Sequence, residues 1–335
     1  MIPKVMIILG SASDLKIAEK AMDTLEELQI SYSLKVASAH RTPEKLKNLV
    51  FQGTEKGIKV FIAIAGLAAH LPGLIASYTY RPVIGVPVDV KLSGLDALLA
   101  SLQTPFPGSV ATVGINSGNN GAILAAEFLG IGDEKIRDNI SNLRKFYNYK
   151  IINDEKEVLS QINGEYFKDF NENLKDNIDE KNDLKSKQEV VDVSIILDSY
   201  YSTKIAEDLM EILNKLEITH RFKVISPINS PFSFEKYVKE SSAKLFIGIA
   251  NVSAHLPGAI VALSEKPVLS IPCSNQLNGL DTLLSMVNMP PGVPMGVVAI
   301  ESGKGGGFLA GNILAIFNKK IEAKLINLKV QIKEE

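Results

Sequence analysis

The feature of this sequence that most constrains its fold is an internal duplication. Three segments of the first half recur in the same order in the second half: residues 5–9 and 193–197, residues 69–73 and 254–258, and residues 94–96 and 279–281. Ordered matches of this kind indicate two copies of one structural unit. Each copy spans about 130 residues, a usual size for one hydrophobic core. A chain of 335 residues is therefore expected to hold two cores.

Each copy alternates short runs rich in valine and isoleucine with segments of helical periodicity. The strands predicted in the first copy are residues 5–9, 34–37, 60–65, 83–88 and 110–115. Such alternation is typical of a parallel sheet with helices on both faces. We predict an α/β fold of two tandem doubly wound domains, flavodoxin-like or Rossmann-like, each with three α/β/α layers. In these folds ligands bind at the carboxyl ends of the strands.

The repeat also predicts where the domains begin and end. We expect a first domain at residues 1–132, a charged helical linker at 133–191, a second domain at 192–320 and a C-terminal helix or tail at 321–335. Within the linker, residues 136–147 are expected to form a docking helix. Residues 171–188 are dense in charge and are expected to be a solvated helix or linker without chemistry.

Composition excludes several classes of protein. A formal net charge of −2 argues against a nucleic-acid binder, which needs a basic surface for phosphate contacts. No apolar run reaches the roughly 18 residues that a membrane span needs, and the run at residues 5–9 is too short for the core of a signal peptide. The single cysteine, Cys273, cannot form an internal disulfide and is interpreted as a small buried residue. We expect a protein of the reducing cytoplasm.

A first polar segment follows the first predicted strand. It contains Gly10, Ser11, Ser13 and Asp14, immediately before a predicted helix. Helix N-termini present unpaired N–H groups and a positive dipole to an anion, and serine hydroxyls add donors for phosphate. A carboxylate is less suited to phosphate and could instead accept hydrogen bonds from ribose hydroxyls. Spacing alone supports equally well the alternative that Ser13 or Asp14 is only the helix N-cap.

A second polar segment, with Ser38, His40 and Arg41, follows the second predicted strand. Pro43 after it suits the first turn of a helix. Histidine changes protonation near neutral pH, and the guanidinium of arginine can form two hydrogen bonds to one phosphate. Alone, such a pair is more often an ordinary surface feature. Because both polar segments are expected at the same edge of the sheet, we favour a functional site.

A third segment, residues 65–73, follows the third predicted strand and contains Gly66, His70 and Leu71. Its small residues would let a flat ligand approach the backbone closely. His70 recurs as His255 in the second copy, which has lost other polar residues. For His70 we therefore favour packing or a place in the site wall over proton transfer.

Together these segments resemble the 5-(carboxyamino)imidazole ribonucleotide mutase family, which is related to the phosphoribosylaminoimidazole carboxylase catalytic subunit. The motifs that carry the resemblance lie at residues 10–14, 38–43, 69–73 and 94–96. A second, weaker match covers residues 190–320. The resemblance implies an isomerase of purine (IMP) biosynthesis, which converts 5-carboxyamino-1-(5-phosphoribosyl)imidazole to 5-amino-1-(5-phosphoribosyl)imidazole-4-carboxylate. It implies no metal ion and no organic cofactor.

The resemblance also implies roles for the site residues. His40 would shuttle the proton, while Ser11, Asp14 and Arg41 would hold the ribose phosphate portion. The whole expected substrate-binding set is Ser11, Ser13, Asp14, Ser38, Arg41, Gly66, His70 and Leu71. In the family reaction the carboxylate leaves the exocyclic amine as carbon dioxide and is joined again at ring carbon 4. One proton must reach the amine and one must leave the carbon, and a single histidine can serve both steps.

The second copy departs from the pattern where chemistry is expected. At the positions equivalent to residues 10, 14, 40 and 41 it has Asp198, Ser202, Ile228 and Asn229. It therefore lacks the histidine that would carry the proton and the arginine that would bind the phosphate. We predict that the second copy is catalytically silent. In the first copy, residues 103–109 differ from the usual family form, which the second copy keeps at residues 289–294. If this segment lines the site of a neighbour, the second copy would supply the wall that the first copy has lost.

Two alternative functions stay open from sequence alone. One is a lyase that carboxylates 5-aminoimidazole ribonucleotide directly with carbon dioxide, and the other is a nucleotide-binding scaffold without turnover. The intact segment with Ser38, His40 and Arg41 speaks against the scaffold. Because the resembling family forms octamers of single domains, we expect a homotetramer of tandem chains, a pseudo-octamer of active and degenerate sites. A functional link to an ATP-dependent enzyme that carboxylates the ribonucleotide is a further expectation.

Overall fold

The computed structural model describes residues 2–161, 190–198, 202–251, 253–274 and 277–334. The charged segment predicted at residues 171–188 lies outside these ranges. Among the described residues, no helix is long and apolar enough to cross a lipid bilayer.

Both copies fold into alternating strands and helices. The first copy has strands β1 (Val5–Leu9), β2 (Tyr32–Val36), β3 (Val60–Gly66), β4 (Val83–Val88) and β5 (Ala111–Thr112). Its helices are α1 (Leu15–Glu27), α2 (Pro43–Lys56), α3 (Leu71–Tyr78), α4 (Leu95–Leu102) and α5 (Gly118–Gly130), followed by α6 (Glu134–Gln161). The second copy has strands β6 (Val193–Leu197), β7 (His220–Val224), β8 (Leu245–Ala250), β9 (Val268–Pro272) and β10 (Gly296–Val297). Its helices are α7 (Thr203–Lys215), α8 (Pro231–Glu240), α9 (His255–Leu263), α10 (Leu280–Val287), α11 (Gly303–Leu314) and α12 (Lys319–Glu334).

These strands form one ten-stranded sheet in the order β2-β1-β3-β4-β5-β10-β9-β8-β6-β7. Within each copy neighbouring strands are parallel and follow the order 2-1-3-4-5 of flavodoxin-like folds. The predicted α/β fold class is therefore confirmed. The sequence did not indicate that the two sheets join. They do so through β5 and β10, which pair antiparallel with Thr112 opposite Val297.

Burial accounts for the composition of the strands and helices. Every side chain of β1, β4 and β6 is buried, as expected for parallel strands covered by helices on both faces. On α1 the buried stripe includes Ala18, Ala21 and Leu25, which recur at helical spacing. The helices thus cover both faces of the sheet. Because β5 and β10 pair antiparallel, the carboxyl ends of the strands of the two copies lie at opposite edges of the sheet.

The strand predicted at residues 110–115 is wrong in length, because β5 contains only Ala111 and Thr112. Asn116 adopts the left-handed backbone conformation with φ of 58°. Its side-chain oxygen accepts a 3.0 Å hydrogen bond from the N–H of Asp89. The chain therefore turns out of the sheet early, towards the loop that follows β4.

The repeated Gly-Leu-Asp motif has a structural origin. Gly94 and Gly279 are the N-caps of α4 and α10, with left-handed φ values of 79° and 82°. A β-carbon on Gly279 would lie 2.7 Å from the carbonyl oxygen of Cys273, which is too close. Glycine fits this turn without strain. The motif recurs because both copies need the same turn.

The last helix of each copy contacts the other copy reciprocally. Arg144 on α6 donates from Nη1 to the carbonyl oxygen of Val261 on α9, at 2.9 Å. At the equivalent positions of the repeat, Lys329 on α12 donates from Nζ to the carbonyl oxygen of Ala76 on α3, at 2.5 Å. This is the reciprocity that a pseudo-twofold axis between the copies requires.

We call the contact region between the two copies the seam. Asn120 on α5 donates from Nδ2 to the carbonyl oxygen of Pro290 and accepts from the N–H of Gly292, both at 2.9 Å. The apolar part of the seam is one buried cluster that includes Leu98, Leu102, Met286 and Val287. The segment 289–294 is therefore a contact between copies.

Glu127 is buried at the seam, with Oε1 3.0 Å from Nη2 of Arg144. Burial raises the pKa of Glu127 from 4.5 to about 8, although the charge of Arg144 lowers it. The folded chain then binds this proton more tightly than the unfolded chain. The resulting stability is full below pH 4.5 and is lost as the pH rises towards about 8.

We therefore expect the free energy of unfolding to fall across this pH range, with a slope of at most about 1.4 kcal/mol per pH unit. Glu127→Gln keeps an oxygen for Arg144 but carries no titrating proton, so its profile should be flatter. Urea unfolding of both proteins at several pH values measures the two slopes. Identical slopes would contradict this role of Glu127.

Candidate active site

A cavity of about 490 Å³ lies at the carboxyl ends of β1 and β3, beside the loop that follows β2. All the residues predicted for the site line it: Ser11, Ser13, Asp14, Ser38, His40, Arg41, Gly66, His70 and Leu71. They come from three loops that are far apart in sequence. The parallel order of the strands brings these loops to one edge of the sheet.

The first loop is held rigid by its own side chains. The carboxylate of Asp14 accepts hydrogen bonds from the Ser11 N–H at 3.2 Å and from the Ser13 hydroxyl at 3.0 Å. Asp14 is only 3% exposed, and this burial raises its pKa, while the bonds from Ser13 and Ser11 lower it. Ser11 caps the short turn before α1, and Asp14 completes that capping box. Asp14 also stands at the N-cap position of α1 but makes no side-chain capping bond there. Binding of a ligand by this segment stays a prediction, and its residues line the cavity.

The second loop is fixed by hydrogen bonds at its base. The Ser38 hydroxyl accepts from the Arg41 N–H at 3.2 Å, and the Thr42 hydroxyl oxygen accepts from the Ser38 N–H at 2.9 Å. Pro43 is the first residue of α2, as predicted. Among the described residues the guanidinium of Arg41 forms no ion pair, and it is exposed beside the cavity. It can therefore pair with an anionic ligand.

The third loop places a second histidine directly on the first. His40 Nε2 lies 2.9 Å from His70 Nδ1, with the ring centroids 5.0 Å apart. Such a bond needs one ring that donates and one that accepts, so the pair shares a proton. The sequence favours a packing or wall role for His70. A wall position agrees with the structure, but the bond to His40 was missed because the two histidines are separated by thirty residues of sequence.

The backbone of the third loop is strained. Leu67 and Ala69 both adopt positive φ, at 55° and 34°. Residues with side chains pay for this conformation, which persists where surrounding structure enforces it and is frequent at active sites. The equivalent of Ala69 in the second copy, Ala254, has an ordinary φ of −74°. The shared Ala-His-Leu-Pro-Gly motif therefore has a different backbone in the two copies.

Apolar residues complete the cavity, most of them within the segments predicted from the sequence. They include Ala39, Ala65, Leu67 and Val90. Val90 follows β4 in a loop without any polar motif, so no signal pointed to it. A β-carbon on Gly66 would lie 2.5 Å from Cγ2 of Val90, so glycine lets Val90 close over the third loop. A polar rim and an apolar wall suit a flat heterocycle with charged substituents.

The second copy lacks this arrangement. Ile228, at the position of His40, is exposed, and His255 is hydrogen-bonded to the hydroxyl of neighbouring Ser253. Ser202, at the position of Asp14, lies 3.1 Å from the sulfur of Cys273. Burial raises the pKa of this thiol to about 11, so it stays protonated and unreactive at neutral pH. The interpretation of Cys273 as a small buried residue agrees with this placement.

Among the described residues the second copy contributes nothing to the wall of the site in its own chain, and the hypothesis that it lines a neighbour's site stays a prediction. Every described residue that lines the cavity lies between Gly10 and Val90. The second-copy segment 289–294 instead contacts Asn120 at the seam. The physical reason is that the seam lies at β5, on the far side of β4 from the site.

Comparison with known proteins assigns the family. The AIR carboxylase family model matches the chain twice, at residues 4–149 and 192–335. A probable N5-carboxyaminoimidazole ribonucleotide mutase of Methanothermobacter thermautotrophicus is 49% identical over 330 residues, covering 98% of each chain. A protein of the same name from Methanobrevibacter smithii is 49% identical over 343 residues, covering 99% of this chain and 100% of the relative. The N5-carboxyaminoimidazole ribonucleotide mutase of Methanocaldococcus jannaschii is 52% identical over 154 residues, covering 46% of this chain and 96% of the relative. The chain is therefore a tandem member of the AIR carboxylase family.

Proposed function

We propose that this chain is a 5-(carboxyamino)imidazole ribonucleotide mutase of purine biosynthesis, with its active site in the first copy. The observation that carries the proposal is the His40–His70 pair at the edge of a cavity that also holds Ser11, Ser38 and Arg41. The pair can hold and return a proton, and the other side chains offer donors to a phosphate. Residues 1–132 are then the catalytic domain and 192–320 a degenerate, silent one. We take residues 133–191 as a linker without chemistry and residues 321–335 as a C-terminal helix or tail.

The proposed reaction balances with one histidine. His40 starts protonated and gives its proton to the exocyclic nitrogen as the bond from nitrogen to the carboxylate carbon breaks and carbon dioxide is released. Ring carbon 4 then attacks the carbon dioxide and forms the new carbon–carbon bond. The hydrogen on carbon 4 leaves as a proton to His40, which restores the starting state. His70 orients the imidazole of His40 through their hydrogen bond.

Substrate binding divides between the loops. We assign Arg41 and the hydroxyls of Ser11 and Ser38 to the phosphate, because these groups are cationic or can donate hydrogen bonds. Asp14 positions the first loop and accepts from the ribose hydroxyls. Ser13, Gly66, His70 and Leu71 line the same space. No metal ion or organic cofactor enters this scheme.

A lyase that uses free carbon dioxide is the second candidate. The family description, AIR carboxylase, favours it, whereas the relatives named above are mutases. The same histidine would serve a direct carboxylation, which needs only the proton removal from carbon 4. A scaffold without turnover is disfavoured, because binding alone requires neither a hydrogen-bonded histidine pair nor the strained backbone beside it.

An assembly of chains belongs to this proposal. Released carbon dioxide must be retained, which requires a closed pocket. Beside the cavity, Leu67, Val90 and Leu92 are 46%, 51% and 76% exposed. We propose that another chain covers this apolar rim in a homotetramer, a pseudo-octamer of copies. Light scattering tests it, and the mass of a single chain or of a dimer would contradict it.

Location and supply of substrate complete the proposal. We place the enzyme in the cytoplasm, where the single buried Cys273 stays reduced. The carboxyamino substrate would come from an ATP-dependent enzyme that carboxylates 5-aminoimidazole ribonucleotide. Nucleic acid and membrane are not expected partners.

The deciding experiment compares initial rates of the purified full chain on two substrates. One reaction contains the carboxyamino ribonucleotide, and the other contains 5-aminoimidazole ribonucleotide with bicarbonate. We expect rapid turnover of the first only. Efficient use of the second at modest bicarbonate would identify the lyase, and no turnover of either would leave the scaffold. Each reaction is repeated with His40→Asn, which corrects for the uncatalysed decay of the carboxyamino compound.

A further inference from the structure

Lys329, on the last helix of the second copy, is buried against the active copy. It is 8% exposed, although lysine is rarely buried unless it is paired. Its Nζ donates hydrogen bonds of 2.5 Å to the carbonyl oxygens of Ala76 and Thr79. These two carbonyls lie at the C-terminal end of α3, so a cation of the second copy caps a helix of the first.

The cap lies at the end of α3 where the carbonyl groups lack partners within the helix. The last carbonyl groups of a helix have no partner within the helix, and the helix dipole places partial negative charge there. A buried ammonium satisfies the carbonyls and complements the dipole, with little screening by solvent. The contact therefore fixes the C-terminal end of α3 against α12.

The other end of α3 carries the chemistry. His70 is the N-cap of α3, and the helix is only eight residues long, so its two ends move together. One side of α3 borders a cavity of about 340 Å³, whose lining includes His70, Leu74, Ser77 and Lys329. Along this side fewer side chains hold the helix in place. The orientation of His70 therefore depends more strongly on the cap by Lys329 than it would in a helix packed on all sides.

The second copy contains an equivalent cationic cap, but that cap does not orient a histidine pair. Arg144 of α6 bonds the carbonyl oxygen of Val261 near the end of α9, at the position equivalent to Ala76. However, His255 at the start of α9 bonds Ser253, and the position of His40 is occupied by Ile228. Arg144 therefore supports the fold of a copy without a histidine pair.

We propose that Lys329 is a positioning residue for the reaction in the first copy. Through α3 it keeps His70 within hydrogen-bond distance of His40, and so the degenerate copy maintains the proton-transfer geometry of the active copy. The inference rests on the proposed function for its catalytic readout. It assigns the second copy a role in catalysis although none of that copy's described residues lines the active-site cavity.

The test compares Lys329→Met with Arg144→Met, which removes the equivalent cap from the silent copy. Both variants should lower the Tm, because each loses a buried cationic cap, and Arg144→Met also removes the partner of buried Glu127. We expect Lys329→Met to lower kcat at least tenfold, with KM changed less than threefold and a shifted pH profile of kcat. Arg144→Met should keep kcat within twofold of the wild type. All assays are made well below the lowest Tm.

Lys329→Arg provides the rescue, since the chain itself uses arginine at the equivalent position. It should restore at least half of the wild-type kcat. Equal kcat values for Lys329→Met and Arg144→Met would overturn the inference. If a methionine variant fails to fold, Lys329→Gln and Arg144→Gln carry the same comparison.

A readout without turnover separates this inference from the proposed function. Nitrogen-15 NMR of histidine-labelled protein reports the bond between His40 and His70. The signal of that bond should be lost in Lys329→Met and kept in Arg144→Met. If the wild type is inactive but the bond is lost in Lys329→Met alone, the cap stands and the mutase is rejected. An active wild type with the bond intact in both variants would reject the cap alone.

Discussion

Replacement of His40 by asparagine is expected to lower kcat by about 10²- to 10⁴-fold, the usual contribution of a positioned acid-base group. The side chain of His40 is exposed, so the Tm should stay within about a degree of the wild type, as for surface substitutions. KM should change little, because the phosphate is assigned to Arg41 and the serines. Initial rates and thermal unfolding measure these quantities.

His40→Gln is the matched control for this prediction. Glutamine can donate a hydrogen bond to Nδ1 of His70, as His40 Nε2 can, but it cannot change protonation at neutral pH. We expect it to be as inactive as the asparagine variant. Activity close to the wild type in either variant would show that His40 does not carry the proton. Activity in the glutamine variant alone would mean that His40 only orients its neighbour.

A chain that ends after residue 161 is expected not to exist as a stable folded monomer. Removal of the second copy exposes the seam, including Leu98 and Leu102, and leaves β5 without its antiparallel partner. Each large apolar side chain returned to water costs about 1.5–3 kcal/mol, against a usual net stability of roughly 5–15 kcal/mol. An exposed strand edge also invites pairing with another chain.

Size-exclusion chromatography with light scattering and circular dichroism measures this outcome. We expect aggregates, or dimers in which two first copies pair through the exposed seam. Co-expression of residues 1–161 with residues 190–335 is the matched control, and it should restore a one-to-one complex. A folded monomer of the truncated chain with the Tm and kcat of the full chain would contradict both the role of the seam and the cap by Lys329.

Much of the site was predictable because its signals are local. A buried strand, a glycine or serine turn and a helix start are each encoded within a few residues, as at Ser11–Asp14 or before Pro43. Parallel strand order then requires the three loops to meet at one edge. Local signals did not predict the end of β5, because the turn at Asn116 depends on a hydrogen bond to Asp89 in another loop.

The sequence by itself determined the duplication, the α/β class and the polar residues that surround the cavity, since periodicity and loop motifs act over short distances along the chain. Only the tertiary structure decided that the two sheets join at β5 and β10, that His40 bonds His70, and that Lys329 caps α3. Each of these contacts joins residues distant in sequence. Their geometry follows from how helices and strands pack, which no local pattern of residues records.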